Sequence, residues 1–125
     1  MSYPGFDSRR LDDEHGLWMG DLPGPLRKSL EERFDELWNL HPATYHEIMM
    51  HGRMVLTPRW QQAYGKDYAY TGQVNQALPL EALTATVPKV GRLLAWCQQV
   101  VEPCLNGLLL NWYDGSLGHY IGKHR

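Results

Sequence analysis

Two stretches of the chain place apolar side chains at the three- and four-residue spacing of an amphipathic helix. The first begins after Pro25, a residue that the first position of a helix tolerates, and it continues to Leu40. Charged residues occupy its opposite face, so the spacing predicts a helix over residues 26–40 that packs on the core through one stripe. That stripe consists of Leu26, Leu30, Phe34, Leu37 and Trp38.

The second helical stretch covers residues 88–101. Its apolar face would pack on the same core, and the position of Cys97 on that face assigns this thiol to packing rather than to chemistry. The face consists of Val90, Leu93, Leu94, Cys97, Val100 and Val101.

The remaining pattern is typical of strands and turns. Residues 53–72 are rich in β-branched and aromatic side chains and are interrupted by proline and glycine, which predicts short strands joined by turns. Residues 105–113 predict a further strand, which a glycine-rich turn connects to a returning strand over residues 119–125. Residues 1–23 are expected to form an extended N-terminal arm, which Trp18 and Met19 would anchor to the body.

Composition limits the class of protein. A chain of 125 residues has room for one domain, and 43% hydrophobic residues with a net charge of −2 disfavour disorder. Two cysteines do not make a disulfide scaffold. The sequence shows neither a signal peptide nor a run of about 20 apolar residues, so we expect a cytoplasmic protein without a membrane partner.

The charge is unevenly distributed. Residues 1–47 contain ten acidic and five basic residues, whereas residues 48–125 contain four acidic and seven basic ones. A basic excess in the second part is compatible with an anionic ligand such as nucleic acid. On charge alone, an ordinary solvated surface is the favoured interpretation.

Two apparent metal motifs do not have the required spacing. His46 and His51 are five residues apart, whereas two histidines that share one helical face towards zinc lie four apart. Cys97 and Cys104 have no further cysteine with which to complete a structural zinc site.

The C-terminal residues combine several chemically useful side chains. Asn111 and Tyr113 are two residues apart, so on a strand both point to the same face, where both can hydrogen-bond a small carboxylate. His124 lies at the end of the next predicted strand, where an imidazole can bind a metal ion. A histidine beside a basic residue near a chain end is also commonly an exposed side chain without a function.

Two segments together resemble the iron(II)- and 2-oxoglutarate-dependent dioxygenases of the AlkB type. The run NGLLLNWYDGSLGHYIGKHR (106–125) is similar to the motif that opens their catalytic core, in which an Asn-x-Tyr strand leads through a glycine turn to a His-x-Asp pair. The run TPRWQQAYGKDYAYTG (57–72) resembles their Pro-Arg…Tyr-Gly…Tyr-x-Tyr-Ser/Thr-Gly segment. The resemblance covers about residues 53–125.

The resemblance implies a role for several residues. Asn111 and Tyr113 match the residues that hold 2-oxoglutarate, and His124 matches the first iron ligand of a facial triad of two histidines and a carboxylate. The segment 53–72 matches a lid over the substrate base, where stacking and edge hydrogen bonds would hold a flipped base. Its candidate substrate-binding residues are Arg59, Tyr64, Tyr68 and Tyr70. For each tyrosine, packing of a strand face on the core is an equal alternative.

The iron site of the family needs more ligands than these residues supply. Three of the residues that the family uses have no match in this sequence. They are the Asp two residues after the first His, the second His, and an Arg that binds the distal carboxylate of 2-oxoglutarate. We therefore expect residues 24–125 to be the N-terminal portion of a dioxygenase domain, inactive by itself, with two helices packed on the first strands of an incomplete double-stranded β-helix (jelly roll). Exposed strand edges near residues 105–124 would favour self-association.

The implied activity is oxidative removal of alkyl groups from nucleobases of DNA or RNA, as in DNA repair, with iron(II) and 2-oxoglutarate as cofactors. A dioxygenase of the same fold that acts on a protein or a small molecule is an alternative, because fold does not determine substrate. A non-catalytic binding or assembly fragment is a third possibility.

Overall fold

The computed structural model describes residue 3, residues 5–70 and residues 73–122, the side chains of Tyr70 and Gln73 excepted. These residues form a mixed α and β structure, as the sequence pattern predicts. Its helices are α1 (Gly24–Glu31), α2 (Phe34–Trp38), α3 (Leu80–Thr84) and α4 (Pro88–Val100). Its strands are β1 (Asp7–Arg10), β2 (Gly16–Met19), β3 (Glu47–Met50), β4 (Arg53–Leu56), β5 (Trp60–Tyr64), β6 (Tyr68–Tyr70), β7 (Gln73–Asn75) and β8 (Leu108–Trp112).

The strands form antiparallel pairs. The pairs β1–β2, β3–β4 and β6–β7 join neighbours along the chain, whereas β5 and β8 are separated by two helices in sequence. In the β5–β8 pair, Trp60 lies opposite Trp112 and Tyr64 opposite Leu108. Since opposed residues of an antiparallel pair share a face, one face of this sheet presents these large side chains to the helices.

The hydrophobic core lies between that face and the helices. Tyr64, Leu83, Val87 and Val90 are buried and in mutual contact. Partly buried leucines from α1, from α2 and the residues after it, from α3 and from β8 pack around them: Leu30, Leu37, Leu40, Leu80, Leu108 and Leu110. In addition, Nε1 of Trp112 donates a hydrogen bond of 2.8 Å to the carbonyl oxygen of Leu37, which ties the sheet to the helical layer.

Two glycines permit the close approach of β5 and β8 at one end of the sheet. Gly65 has φ +82°, and a Cβ atom there would lie 2.8 Å from the carbonyl oxygen of Asn106. At Gly107 a Cβ atom would lie 2.8 Å from Cβ of Lys66. Any larger residue at either position would push the two chain segments apart.

The helix predicted over residues 26–40 is in fact two helices. It is interrupted at Arg33, whose φ of −106° and ψ of 15° lie outside the helical range. Leu30 and Leu37, which lie on either side of the interruption, both pack against the core. Phe34 is 59% exposed, so the prediction that Phe34 packs in the core is wrong.

The N-terminal arm contains a hairpin, since β1 and β2 pair from Asp7↔Met19 to Arg10↔Gly16. Its attachment to the body differs from the prediction. Met19 is 62% exposed, and Trp18 packs its ring edge-on against Tyr3. It is Phe6 that stacks on Trp96 of α4, with 6.2 Å between the ring centroids.

The second predicted helix is confirmed, but the returning strand over residues 119–125 is not. Residues 119–122 are irregular, and residues 123–125 lie outside the described part of the chain. After the 3₁₀ turn Gly115–Leu117, Gly118 adopts a left-handed conformation with φ +73°. The chain then crosses to the segment that precedes β5, where the backbone N–H of Tyr120 donates to the carbonyl oxygen of Pro58. Within the described ranges, no helix is long and apolar enough to cross a membrane.

Candidate functional site

The register of the β5–β8 pair brings the two resembling segments together. Gln61 lies directly opposite Asn111, on the face of the sheet that points away from the helices. Tyr113 directly follows the last residue of β8 and is 39% exposed. Asn111 is exposed as well, so the amide and the phenol are both accessible to a ligand.

A polar side-chain network joins Arg59, Gln61 and Asn111. The amide of Gln61 is 7% exposed, and its end nearest to Asn111 lies 2.8 Å from Oδ1 of that residue. If this amide is turned so that its oxygen occupies that end, the oxygen accepts from Nε and Nη2 of Arg59 at 3.2 Å each. Nη1 of Arg59 also lies 3.5 Å from the carbonyl oxygen of Tyr120.

Two side chains and the backbone of Leu78, which forms an isolated parallel bridge with Tyr64, close the other edge of β5. The imidazole Nε2 of His46 donates to the backbone carbonyl oxygen of Gln61 at 2.9 Å, and Oδ1 of Asn75 accepts from the backbone N–H of Ala63 at 3.2 Å. His46 therefore holds the backbone of β5 through its ring. These contacts protect the edge from pairing with another chain.

A cavity of about 260 Å³ lies beside this edge. Asn75 belongs to its wall and is only 7% exposed, yet its Nδ2 has no hydrogen-bond partner among the described residues. A buried donor without a partner is costly and is often found at sites that a ligand or water completes. The other lining residues are Tyr45, His46, Glu47, Ile48, Gln61, Tyr68 and Val74.

The three tyrosines that the resemblance assigns to the lid differ in position. Tyr68 is 38% exposed and lines the cavity, and Tyr70 is in β6 but its side chain lies outside the described part. Tyr64 is 2% exposed and belongs to the core cluster, where burial raises the pKa of its phenol. The core-packing alternative therefore holds for Tyr64, which has no surface to offer a substrate.

His119 is a residue whose role the sequence did not reveal. Its Nδ1 accepts from the backbone N–H of Asp114 at 2.9 Å, so the proton of a neutral ring is on Nε2, which lies 2.7 Å from the hydroxyl of Tyr45. The His119 ring also packs edge-on against Trp60, with 4.6 Å between the centroids. These contacts fix the loop that follows Tyr113.

The same loop orders Asp114. Its carboxylate accepts from the hydroxyl of Ser116 at 2.6 Å and from the backbone N–H of Ser116 at 2.9 Å. The hydroxyl contact is the main reason why the pKa of Asp114 is lowered, and the backbone contacts and His119 act in the same direction. The carboxylate of Asp114 therefore forms these hydrogen bonds within its own turn.

His124, the predicted iron ligand, lies outside the described residues. Among the residues that the structure describes, no three His, Cys, Asp or Glu side chains are grouped so that they could hold a metal ion. The donors expected for 2-oxoglutarate do fit that anion chemically, because the amide N–H of Asn111 and the hydroxyl of Tyr113 both donate to carboxylates. In comparisons with known proteins, the chain matches no family model and no curated protein.

Proposed function

We propose that this chain belongs to an iron(II)- and 2-oxoglutarate-dependent dioxygenase of the AlkB type, which removes alkyl groups from nucleobases by oxidation. The observation that supports the proposal most strongly is the pairing of β5 with β8. The two segments that resemble the family are far apart in sequence, and they meet in register with Gln61 opposite Asn111. In this proposal, β5 and β8 are adjacent strands of a double-stranded β-helix.

The cofactor side of the proposed site is formed by β8. Asn111 and Tyr113 donate hydrogen bonds to the carboxylates of 2-oxoglutarate, which lies on the open face of the sheet. His124 is one ligand of the iron, which when bound supplies the oxidising chemistry. The task of Asn111 and Tyr113 is to fix the orientation of the anion, since misplacement by about 1 Å is enough to reduce a rate strongly.

The substrate side is formed by Arg59 and the cavity beside β5. The guanidinium of Arg59 is suited to a phosphate of the nucleic acid, because its forked donors match phosphate oxygens. Tyr68 and Tyr45 present aromatic rings to the cavity, and aromatic rings stack on bases that have left the duplex. A basic excess after residue 47 is consistent with this anionic partner.

The proposal is tested on the full-length gene product that contains this sequence. It is incubated with iron(II), 2-oxoglutarate and methylated DNA or RNA oligonucleotides at a stated salt concentration, and formaldehyde release and loss of the methyl group are measured. We expect turnover that His124→Ala abolishes. His15→Ala is the matched control, because His15 is exposed in the remote β1–β2 turn.

Each result of this experiment has a defined meaning. Full activity of His124→Ala, or absence of 2-oxoglutarate consumption under all conditions, would overturn the proposed function. Consumption of 2-oxoglutarate without demethylation of any oligonucleotide would keep the dioxygenase class and point to a protein or small-molecule substrate.

A further inference from the structure

Tyr113 is the proposed cofactor residue whose backbone the sheet does not hold. The ladder between β5 and β8 ends at the pair Trp60↔Trp112, so Asn111 lies within it and Tyr113 lies beyond it. Each residue has two soft backbone dihedrals, and pairing with β5 fixes both of them for Asn111. The direction of the Tyr113 side chain therefore depends on what holds the chain after β8.

The imidazole of His119 holds the chain at that point. The backbone N–H of Asp114 donates to Nδ1 of His119 at 2.9 Å, and this N–H belongs to the planar peptide unit that joins Tyr113 to Asp114. In the reverse direction, the backbone N–H of His119 donates to the carbonyl oxygen of Asp114 at 3.3 Å. The ring of His119 therefore sets the orientation of the peptide plane on the C-terminal side of Tyr113.

The body of the protein in turn fixes the ring of His119. Its Nε2 lies 2.7 Å from the hydroxyl oxygen of Tyr45, and the ring packs edge-on against the buried ring of Trp60. Tyr45 itself lies parallel to Trp60, with 5.7 Å between the centroids. A His119 ring turned by 180° would place carbon atoms at both hydrogen-bond positions, so one orientation alone satisfies Asp114 and Tyr45.

The turn after Tyr113 has internal hydrogen bonds that do not depend on the ring of His119. The carboxylate of Asp114 accepts from the hydroxyl and the backbone N–H of Ser116, and the backbone N–H of Gly118 donates to the carbonyl oxygen of Gly115. Replacement of His119 therefore leaves these bonds in place. What it removes is the connection of the turn to the body and the restraint on the peptide plane before Asp114.

We infer that His119 is a positioning residue for 2-oxoglutarate. Its neutral ring accepts from Asp114 and donates to Tyr45, and it thereby keeps Tyr113 in the conformation in which the phenol donates to a carboxylate of the cofactor. His119 does not touch 2-oxoglutarate in this role. The inference rests on the proposed function and adds to its cofactor site a residue outside β5 and β8.

The test measures binding of the cofactor rather than turnover. The full-length gene product is loaded with manganese(II) in place of iron(II), and its affinity for 2-oxoglutarate is measured by calorimetry. His119→Ala removes the acceptor for the N–H of Asp114, so we expect 2-oxoglutarate to bind roughly fivefold more weakly, the factor that corresponds to one typical net hydrogen bond. His119→Gln serves the same purpose if His119→Ala does not fold, because its longer side chain reaches Tyr45 but places no acceptor at the position of Nδ1.

His119→Asn separates positioning from stability. The side-chain oxygen of this variant lies close to the position of Nδ1, so it accepts from Asp114, but the shorter side chain reaches neither Tyr45 nor Trp60. His119→Asn and His119→Ala should therefore lower the midpoint of thermal unfolding by similar amounts. Only His119→Asn should bind 2-oxoglutarate with an affinity within about twofold of the wild type, because it keeps the hydrogen bond that orients the peptide plane.

His41→Ala is the matched control. His41 also packs against Trp60, with 3.7 Å between the ring centroids, but its Nδ1 donates to the carbonyl oxygen of Pro42 and not to the turn after β8. This variant should lower the unfolding midpoint and leave the affinity for 2-oxoglutarate equal to that of the wild type.

The positioning role is overturned if the wild type binds 2-oxoglutarate and His119→Ala, or His119→Gln in its place, binds it equally well. It is also overturned if His119→Asn or His41→Ala loses as much affinity as His119→Ala, because affinity would then follow stability and not the hydrogen bond to Asp114. Absence of 2-oxoglutarate binding by the wild type would refute the proposed function itself, and the positioning role with it.

Discussion

One face of the β5–β8 sheet presents Trp60, Tyr64 and Leu110 to the helices, and Gln61 and Asn111 lie opposite each other on the other face. Both faces come from the same two strands, with side chains that alternate every residue. The helical face is closed by apolar contacts, whereas the other face combines the amides of Gln61 and Asn111 with the apolar side chains of Ala63 and Leu109. The first face therefore provides stability, and the second provides groups that can bind a ligand.

The largest effect should come from the helical face. Leu83→Ala removes a side chain that is 0% exposed and leaves a cavity in the core, so we expect it to lower the free energy of unfolding by about 2–5 kcal/mol. Chemical denaturation measures this loss. Leu117→Ala is the control, because Leu117 is 57% exposed, and a comparable loss there would contradict the assignment of the core.

The junction between β5 and β8 should be nearly as sensitive. Gly65→Ala places a Cβ atom 2.8 Å from the carbonyl oxygen of Asn106 at a φ of +82°, so it should destabilise the protein by roughly 1–3 kcal/mol. Gly115→Ala meets nothing within 4 Å and should change the denaturation midpoint little. Equal midpoints for the two variants would show that the close approach is not needed.

The polar face should respond differently. Gln61→Leu keeps the volume of the side chain and removes its hydrogen bonds to Asn111 and Arg59. We expect the free energy of unfolding to fall by no more than about 1 kcal/mol, because Asn111 is exposed and water can replace its missing partner. Thermal and chemical unfolding measure it. A loss as large as that of Leu83→Ala would mean that the network is a structural element, and the contrast between the faces would disappear.

The smallest effect concerns the dependence of stability on pH. Burial raises the pKa of Tyr64 above its usual value, so the folded state disfavours the ionised phenol. Neutral Tyr64 contributes fully to the free energy of unfolding below a pH of about 10. This contribution is lost as the pH rises through the pKa of Tyr64 in the unfolded state and then in the folded state. Tyr64→Phe should match the wild type at neutral pH and be less sensitive to alkali. Identical alkaline unfolding curves would place Tyr64 outside the core.

Much of the local structure follows from the sequence because it depends on neighbouring residues. The apolar spacing after Pro88 predicts α4 to within one residue, and the strand predicted over residues 105–113 is present as β8, which begins three residues later and ends one residue earlier. The interruption at Arg33 is not visible in the helical spacing, which continues through Leu37 and Trp38. The burial of Tyr64 was one of two equal alternatives, and only its contacts with Leu83 and Val87 decided between them.

In the candidate site, too, some residues can be identified from the sequence and others only from their contacts in the structure. Asn111, Tyr113 and Arg59 stand out in the sequence by their chemistry, but Gln61 and His119 do not. Arg59 lies in the bend before β5, two residues from Gln61, and this closeness in sequence was the available signal for Gln61. Gln61 contacts Asn111, which is 50 positions away in the chain, and His119 contacts Tyr45, which is 74 positions away. No local sequence pattern can predict such distant contacts.

The sequence by itself determined the mixed α and β class, the position of α4 and the face on which each residue of β8 lies, because each depends on the period of one element. The tertiary structure decided that β5 pairs with β8, that Gln61 lies opposite Asn111, and that residues 119–122 cross to Pro58 instead of forming a strand. These outcomes depend on which distant segments pack together. Burial of a shared core and close approach at Gly65 and Gly107 set that choice, which places the polar network on the open face.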